Sequence, residues 1–252
     1  MIKSTTILLV LLFLLPATIL KTQTYIQKEH LKEIETLLLY EADFENCEKK
    51  LFLQLKEAAP DTTSFYYNSL ILLLSRLQNE QGNYQLATNT AKRAVYLAEQ
   101  SNFVPLLAQS LAFEAFLLGN FGEFEEAQTL LNQAIQLHQN SGDTTSTDFA
   151  RTVFYYGKIK QEQRTYNSAD SLFDITIKLS LTDTILQILA LNELAISKLE
   201  QQELELSKRY LKQVQELVKE KLGESHLLMA YVNYHFARYY TELKNLKEAN
   251  FI

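Results

Sequence analysis

Apolar residues recur along most of the chain at intervals of three and four positions. Leu107, Leu111, Ala115 and Leu118 form one such series. This spacing places the side chains on one face of an α-helix, because the helix completes a turn about every 3.6 residues. Similar series stand before and after short breaks in the pattern. The chain is therefore predicted to consist of amphipathic helices that are paired across tight turns.

A short motif recurs six times and sets the period of these pairs. Each copy has a large apolar residue, two variable residues and then a small residue, and the small residues stand 38 to 42 positions apart. A small residue lets two helices approach closely where they cross. The copies are Phe44–Cys47, Tyr84–Ala87, Phe124–Ala127, Tyr166–Ala169, Leu204–Ser207 and Leu246–Ala249.

In several copies a second small residue follows seven positions later, on the same helix face. Neither helix of a pair can bury its apolar face alone, so the pairs must stack on one another. The pattern therefore predicts an all-α fold, a solenoid of helical hairpins. The residues expected to pack within and between the hairpins are Cys47, Ala87, Ala94, Ala127, Ala134, Gly157, Ala169, Ser207 and Ala249.

Glycine marks the turn of two hairpins. Gly82 and Gly122 stand two residues before the large residue of their motif, where a chain reversal favours an unhindered backbone. Other copies place Arg164, Gln202 and Lys244 at this position. The sequence therefore marks the turns of those copies less sharply.

Polar runs mark the connections between hairpins. The clearest is the run 140–148, in which Thr147 or Asp148 is expected to cap the following helix. The run Pro60–Ser64 is expected to play the same role earlier in the chain. Both are interpreted as plain connectors.

These residues resemble the tetratricopeptide repeat (TPR), whose consensus has a small residue at position eight and an aromatic residue near the turn. The copies around Ala87 and Ala127 match best, and the resemblance covers residues 28–252. The long period is similar to that of kinesin light chains and many bacterial multi-repeat proteins, as is the stretch 221–246. The resemblance implies a right-handed α-solenoid of about five to six antiparallel repeats over residues 25–252, the last one incomplete. It also implies a scaffold that binds a protein or peptide.

In TPR arrays the first helix of each repeat lines a concave groove, and the family register implies which residues point into it. Four cations at these positions would make the groove locally positive, which suits an acidic peptide segment or a C-terminal carboxylate. The alternative is that they lie on solvated helix faces and pair with nearby acids. The implied groove residues are Arg76, Asn79, Arg151, Phe154, Lys158, Tyr231, Tyr234 and Arg238.

Composition argues against several other classes of function. A net charge of −6 with interspersed signs gives no basic surface for a nucleic acid. Cys47 is the only cysteine and the four histidines are scattered, so neither a disulfide nor a metal site is predicted. No nucleotide-binding, hydrolase or metalloprotease motif occurs. We therefore predict a protein without enzymatic activity, metal or cofactor.

The N-terminal residues have the layout of a targeting segment. Lys3 precedes an apolar run from Ile7 to Leu15, which is shorter than the about 20 residues that span a bilayer. Residues 1–24 are predicted to be a signal peptide cleaved before Tyr25, or an uncleaved N-terminal anchor. A buried first helix is the third alternative. The expected location is the periplasm or the exterior, or the membrane surface if the segment is retained.

The last copy of the motif stops soon after its small residue. Ile252 stands three positions after Ala249, although a repeat array normally closes with a polar capping helix. We therefore expect the chain to be part of a longer protein. Two functions then compete: a scaffold in its own right, or the sensor half of a protein whose output domain lies beyond residue 252. In bacteria, CHAT-type protease or signalling domains often follow such repeats.

Overall fold

The computed structural model describes residues 23–243, and every regular element in this range is an α-helix. Helix α1 spans residues 23–39. The predicted targeting segment, apart from its last two residues, lies outside the described residues, as does the last motif copy with Ala249. The following helices are α2 (Phe44–Ala58), α3 (Phe65–Glu80), α4 (Tyr84–Gln100), α5 (Val104–Asn120), α6 (Phe124–Asn140), α7 (Thr147–Glu162), α8 (Tyr166–Leu179), α9 (Thr184–Glu200), α10 (Leu204–Lys221) and α11 (Leu227–Glu242).

Consecutive helices pair as hairpins, α1 with α2 and so on to α9 with α10. We call the first helix of each hairpin its A helix and the second its B helix; α11 is the A helix of a further repeat. Each B helix also packs against the A helix of the next hairpin, which stacks the hairpins in one direction. The predicted all-α helical-repeat solenoid is therefore confirmed.

The small residues of the motif lie where the two helices of a hairpin cross. Those within residues 23–243 are at most 1% exposed. Two of them are polar, and each bonds to the backbone of the facing A helix. Ser207 donates to the carbonyl of Ala195 at 2.8 Å, and the Cys47 thiol lies 3.7 Å from the carbonyl of Ile34. A hydroxyl or thiol is tolerated at this crossing because the facing carbonyl accepts its hydrogen.

Gly157 allows an A helix to lie close to its paired B helix. A Cβ added at this position would lie 2.6 Å from the ring of Phe173, which is fully buried in the paired helix α8. A methyl group does not fit there unless the ring moves, and a close-packed interior resists such movement. The absence of a side chain at Gly157 is therefore what lets α7 and α8 pack around Phe173.

The turns of the four hairpins from α3–α4 to α9–α10 share one conformation, whether or not they contain glycine. Gly82 and Gly122 have φ angles of 77° and 82°, and Arg164 and Gln202 have φ angles of 58° and 61° at the equivalent positions. In each turn the next residue donates its N–H to a carbonyl five residues back, as in Glu203 to Lys198 at 2.8 Å. The turns at Arg164 and Gln202, which the sequence marks less sharply, have the same conformation because the helix-ending bonds hold the left-handed residue there too.

Replacement of Gln202 by Gly should therefore stabilise the protein. A left-handed residue with a Cβ costs about 1–2 kcal/mol, and part of this gain is offset by the greater freedom of glycine in the unfolded chain. We expect the free energy of unfolding, measured by urea denaturation, to rise by about 0.5–1 kcal/mol. The reciprocal change Gly82→Gln should lower it similarly, since nothing lies within 4 Å of an added Cβ there. A loss of stability in Gln202→Gly would contradict the strain argument.

Helix caps differ from prediction at one connection. Ser146, and not Thr147 or Asp148, caps α7 by accepting the N–H of Phe149 at 3.1 Å. Asp148 lies in the first helical turn, where a carboxylate is favoured by the helix dipole. Ser64 caps α3 in the same way, at the end of the Pro60–Ser64 connection.

Candidate binding groove

The A helices form the inner row of the solenoid. Each A helix from α3 to α11 contacts the next A helix, whereas successive B helices lack comparable contacts in the described part of the chain. In a curved array of helices, the row whose helices lie closest together is on the concave side. The inner face is therefore made of A-helix residues, which is where the implied groove residues stand.

Large side chains fill the middle of this inner face. Phe116 stacks on Tyr155 with ring centroids 4.9 Å apart, and Phe113 lies 5.9 Å from both. The Arg76 guanidinium lies 5.8 Å from the Phe113 ring centroid, and Arg76 is only 7% exposed. Phe154, a second implied groove residue, is also 7% exposed, and its ring lies 5.9 Å from that of Phe173 on the paired helix α8, so it belongs to the hairpin core. The middle of the inner face is thus filled by aromatic rings and Arg76.

The cations of the inner face are paired with acids, mostly on the next A helix or at its cap. Arg151 donates to Asp183 at 2.8 Å, and Lys158 lies 2.9 Å from Glu193. Arg238 pairs with Glu200 across the following step. We call these three ion pairs the inner ladder. In the structure each of these three cations thus lies beside an acid, and the positive groove stays a prediction.

Helix α1 faces this ladder from the other side of the inner face. Its Glu35 lies 3.9 Å from Arg76 and also acts electrostatically on Arg151. Both arginines line a cavity of about 540 Å³ together with Glu35 and Tyr40. Partial burial, followed by the charge of Asp183, raises the pKa of Tyr40. The first hairpin therefore stands opposite α7 and the start of α9, so the array curls tightly.

The inner face is open at its C-terminal end. Tyr231 and Tyr234 on α11 are 54% and 61% exposed, and Arg238 stands one turn further along the same face. Asn79, at the end of α3, is half-buried, and its amide donates to Glu80. Of the eight implied groove residues, the two tyrosines are thus the ones that present large apolar surface to solvent.

No group of three His, Cys, Asp or Glu side chains within residues 23–243 could hold a metal ion. Burial raises the pKa of the Cys47 thiol to about 11, so the thiol is not a nucleophile at neutral pH. None of the helices between these residues is long and apolar enough to cross a membrane.

The acidic partners of the ladder were missed at the level of sequence. Asp183, Glu193 and Glu200 stand 32 to 38 positions from their cations, close to one repeat away. An acid about one repeat before or after an inner-face cation was the available signal. This signal is weak, because whether the two residues meet depends on the angle at which the hairpins stack.

Comparison with known proteins supports the fold. No protein-family model and no curated protein sequence matches the chain. Among solved structures, BtubC (BKLC) from P. vanneervenii superposes with a TM-score of 0.60 at 13% identity, over 84% of this chain and 87% of that one. PilF of Pseudomonas aeruginosa gives a TM-score of 0.51 at 15% identity, over 91% and 89% of the two chains.

A third similar structure is that of the nearly identical TPR-like repeats of a putative kinesin light chain from Podosopora anserina. Its TM-score is 0.51 at 12% identity, over 77% of this chain and 94% of that one. Identities this low speak to the fold alone, and all three structures agree with the repeat pattern in the sequence. The chain therefore has the fold of TPR-like helical-repeat proteins.

Proposed function

We propose that the chain is a non-enzymatic scaffold that binds a segment of another protein on the inner face of its C-terminal repeats. The observation that carries this proposal is the exposure of Tyr231 and Tyr234 side by side on α11, next to Arg238. Tyrosine and arginine dominate the energetic centres of protein interfaces. Helical-repeat proteins use their inner surfaces in this way.

The position of the binding surface follows from what the rest of the inner face contains. Towards the N-terminus, Arg76 and Phe154 are buried and Arg151 is held by Asp183, so a partner would have to displace intramolecular contacts. At α11 a partner would contact exposed tyrosine rings without displacing intramolecular contacts. We therefore place the first contact of the partner at the C-terminal end.

The test is partner capture with a matched pair of double variants. Tagged chain is used to isolate partners from the source cells, and the affinity of each is then measured with purified proteins. Tyr231→Ser with Tyr234→Ser should weaken specific binding at least about tenfold, since anchor tyrosines typically contribute more than about 1 kcal/mol each. Both side chains are largely exposed, so the fold should be kept.

The control is Tyr84→Ser with Tyr96→Ser on the B helix α4. These tyrosines are 53% and 60% exposed, which matches the test pair almost residue for residue. Binding should be unchanged in this control. Equal weakening in both double variants, or in neither, would remove the assignment to α11.

We also propose that the protein acts outside the cytoplasm, on the basis of the targeting pattern in residues 1–24. Cell fractionation and N-terminal sequencing of the native protein test this. An exported chain beginning at Tyr25 supports a cleaved signal, whereas a membrane-bound chain beginning at Met1 supports an anchor. A cytoplasmic chain with its N-terminus intact would contradict export.

A further inference from the structure

A second cavity, of about 220 Å³, lies where the two ends of the array face each other. One wall is formed by the α1–α2 turn and the end of α3. The other wall is formed by α9 and the start of α11. Most of the lining is aliphatic or aromatic, including Leu38, Phe44, Ile188, Leu189, Leu227 and Val232.

Two hydrogen-bond acceptors that line this cavity have no cation beside them. Asn192 is 8% exposed, and its Oδ1 makes no hydrogen bond. Glu80 lines the opposite wall and has no ion-pair partner among residues 23–243; its bond is to the Asn79 amide. Glu193 also lines the cavity, but it is paired with Lys158 at 2.9 Å. No Lys or Arg belongs to the described lining.

The ring of His226 also borders the cavity. Its Nδ1 accepts the N–H of Leu228 at 3.1 Å, so the neutral ring carries its hydrogen on Nε2. The cavity therefore keeps two acceptors without a cation, Asn192 Oδ1 and the Glu80 carboxylate, because Glu193 is paired with Lys158.

We propose that this cavity binds a small amphipathic amine. The apolar body would lie against the aliphatic lining, and the ammonium group would point to Asn192 Oδ1 and the carboxylates of Glu80 and Glu193. An ammonium has three donors and no acceptor, which complements a set of acceptors. An anion of the same size would instead face two carboxylates and an unpartnered carbonyl oxygen.

The size of the cavity limits the ligand. At about 30 Å³ for each water molecule, the cavity holds the equivalent of about seven waters, which suits an amine with about six carbons. Glu80 as a whole is exposed, but partial desolvation at the cavity raises the pKa of its carboxyl, as expected for a carboxylate without a cation. A bound ammonium would supply the missing charge.

The test compares three ligands with the same chain and different head groups: hexylamine, 1-hexanol and hexanoate. Affinities are measured by calorimetry or by chemical-shift perturbation on the full chain at neutral pH. Hexylamine should bind at least tenfold more tightly than hexanoate. Glu80→Gln should weaken the binding of hexylamine severalfold and leave the binding of hexanol unchanged, because the hexanol head group carries no charge that a carboxylate at residue 80 could attract.

Glu162→Gln is the matched control, since Glu162 ends α7 as Glu80 ends α3 and is exposed away from the cavity. It should leave all three affinities unchanged. Leu189→Phe should fill the cavity and abolish binding, with circular dichroism to verify folding; if it does not fold, the Glu80 variant decides. Tyr231 also borders the cavity, but Glu80 lies on the opposite wall, so the result is separable from the groove test.

Three outcomes would overturn the proposal. Equal affinity for hexylamine and hexanoate would mean that the cavity binds the hydrocarbon chain and does not distinguish the head groups. Absence of saturable binding at millimolar concentrations would mean that the cavity holds water only. An equal effect of Glu80→Gln and Glu162→Gln would mean that the preference for the amine comes from the net charge of the protein and not from the cavity.

Discussion

Replacing Arg151 by Met is expected to lower the free energy of unfolding by about 3 kcal/mol. Arg151 and Asp183 are only 13% and 12% exposed at their side chains, and 2.8 Å separates their paired atoms. Removing the cation leaves a largely buried carboxylate whose remaining bond is to the N–H of Leu186. The measurement is urea denaturation of both proteins at neutral pH.

Arg238→Met is the matched control, because Arg238 also pairs with an acid on the inner ladder. The side chains of Arg238 and Glu200 are 36% and 39% exposed, so water solvates Glu200 when its partner is lost. We expect a loss below about 1 kcal/mol. In addition, Arg151→Met combined with Asp183→Asn should cost less than the sum of the single changes. Equal losses at Arg151 and Arg238 would contradict the role of burial.

This expectation changes how the groove can be tested. Variants at Arg151 or Lys158 would destabilise the inner face. A loss of partner binding in them would then have two explanations, a lost contact or a disturbed fold. The exposed tyrosines of α11 avoid this difficulty, which is why the test of the proposed function uses them.

Mild acid should destabilise the protein through His235. Burial lowers the pKa of His235 to about 4, and its Nδ1 has no hydrogen-bond partner. The unfolded chain binds this proton near pH 6.5, so folding stability is complete above that pH and falls as the pH decreases towards 4. At about 1.4 kcal/mol for each pH unit, the full loss is about 3 kcal/mol. Below pH 4 both states carry the proton and this contribution becomes constant.

The measurement is the urea midpoint of the wild type and His235→Phe at several pH values from about 7 to about 4. Carboxylates also titrate near the lower limit, but they contribute equally to both proteins. The difference between the two stabilities should therefore change by about 3 kcal/mol over the range. A parallel pH dependence in wild type and His235→Phe would exclude His235 as the titrating group.

The repeat architecture could be predicted because its signal is local. A helix crossing requires a small residue, so Ala87, Ala127 and Ala169 mark the hairpins directly in the sequence. The turns were harder to predict, because Arg164 and Gln202 adopt the same conformation as Gly82 through backbone bonds that no side chain reveals. Local sequence thus identified the elements better than their ends.

The inner face was only partly predictable. The register placed Arg151 and Arg238 on the A helices, but their partners Asp183 and Glu200 belong to another hairpin. Which residues meet there depends on the angle between stacked hairpins. That angle comes from many packing contacts, each of which has little effect on the sequence pattern. The burial of Arg76 beside Phe113 and the approach of α1 have the same origin.

The position of helix α1 has a consequence for the order of folding. Nearly all helix contacts join neighbours in the chain, and such local topologies fold quickly. The approach of α1 to α9 and α11 instead joins segments about 150 and about 190 residues apart, so its loop-closure entropy is the largest in the described part of the molecule. Closure should therefore come last, as a separate step after the stack of hairpins has formed. Native-state hydrogen exchange would then detect α1 and α2 opening as one unit, at a lower free energy than the central hairpins.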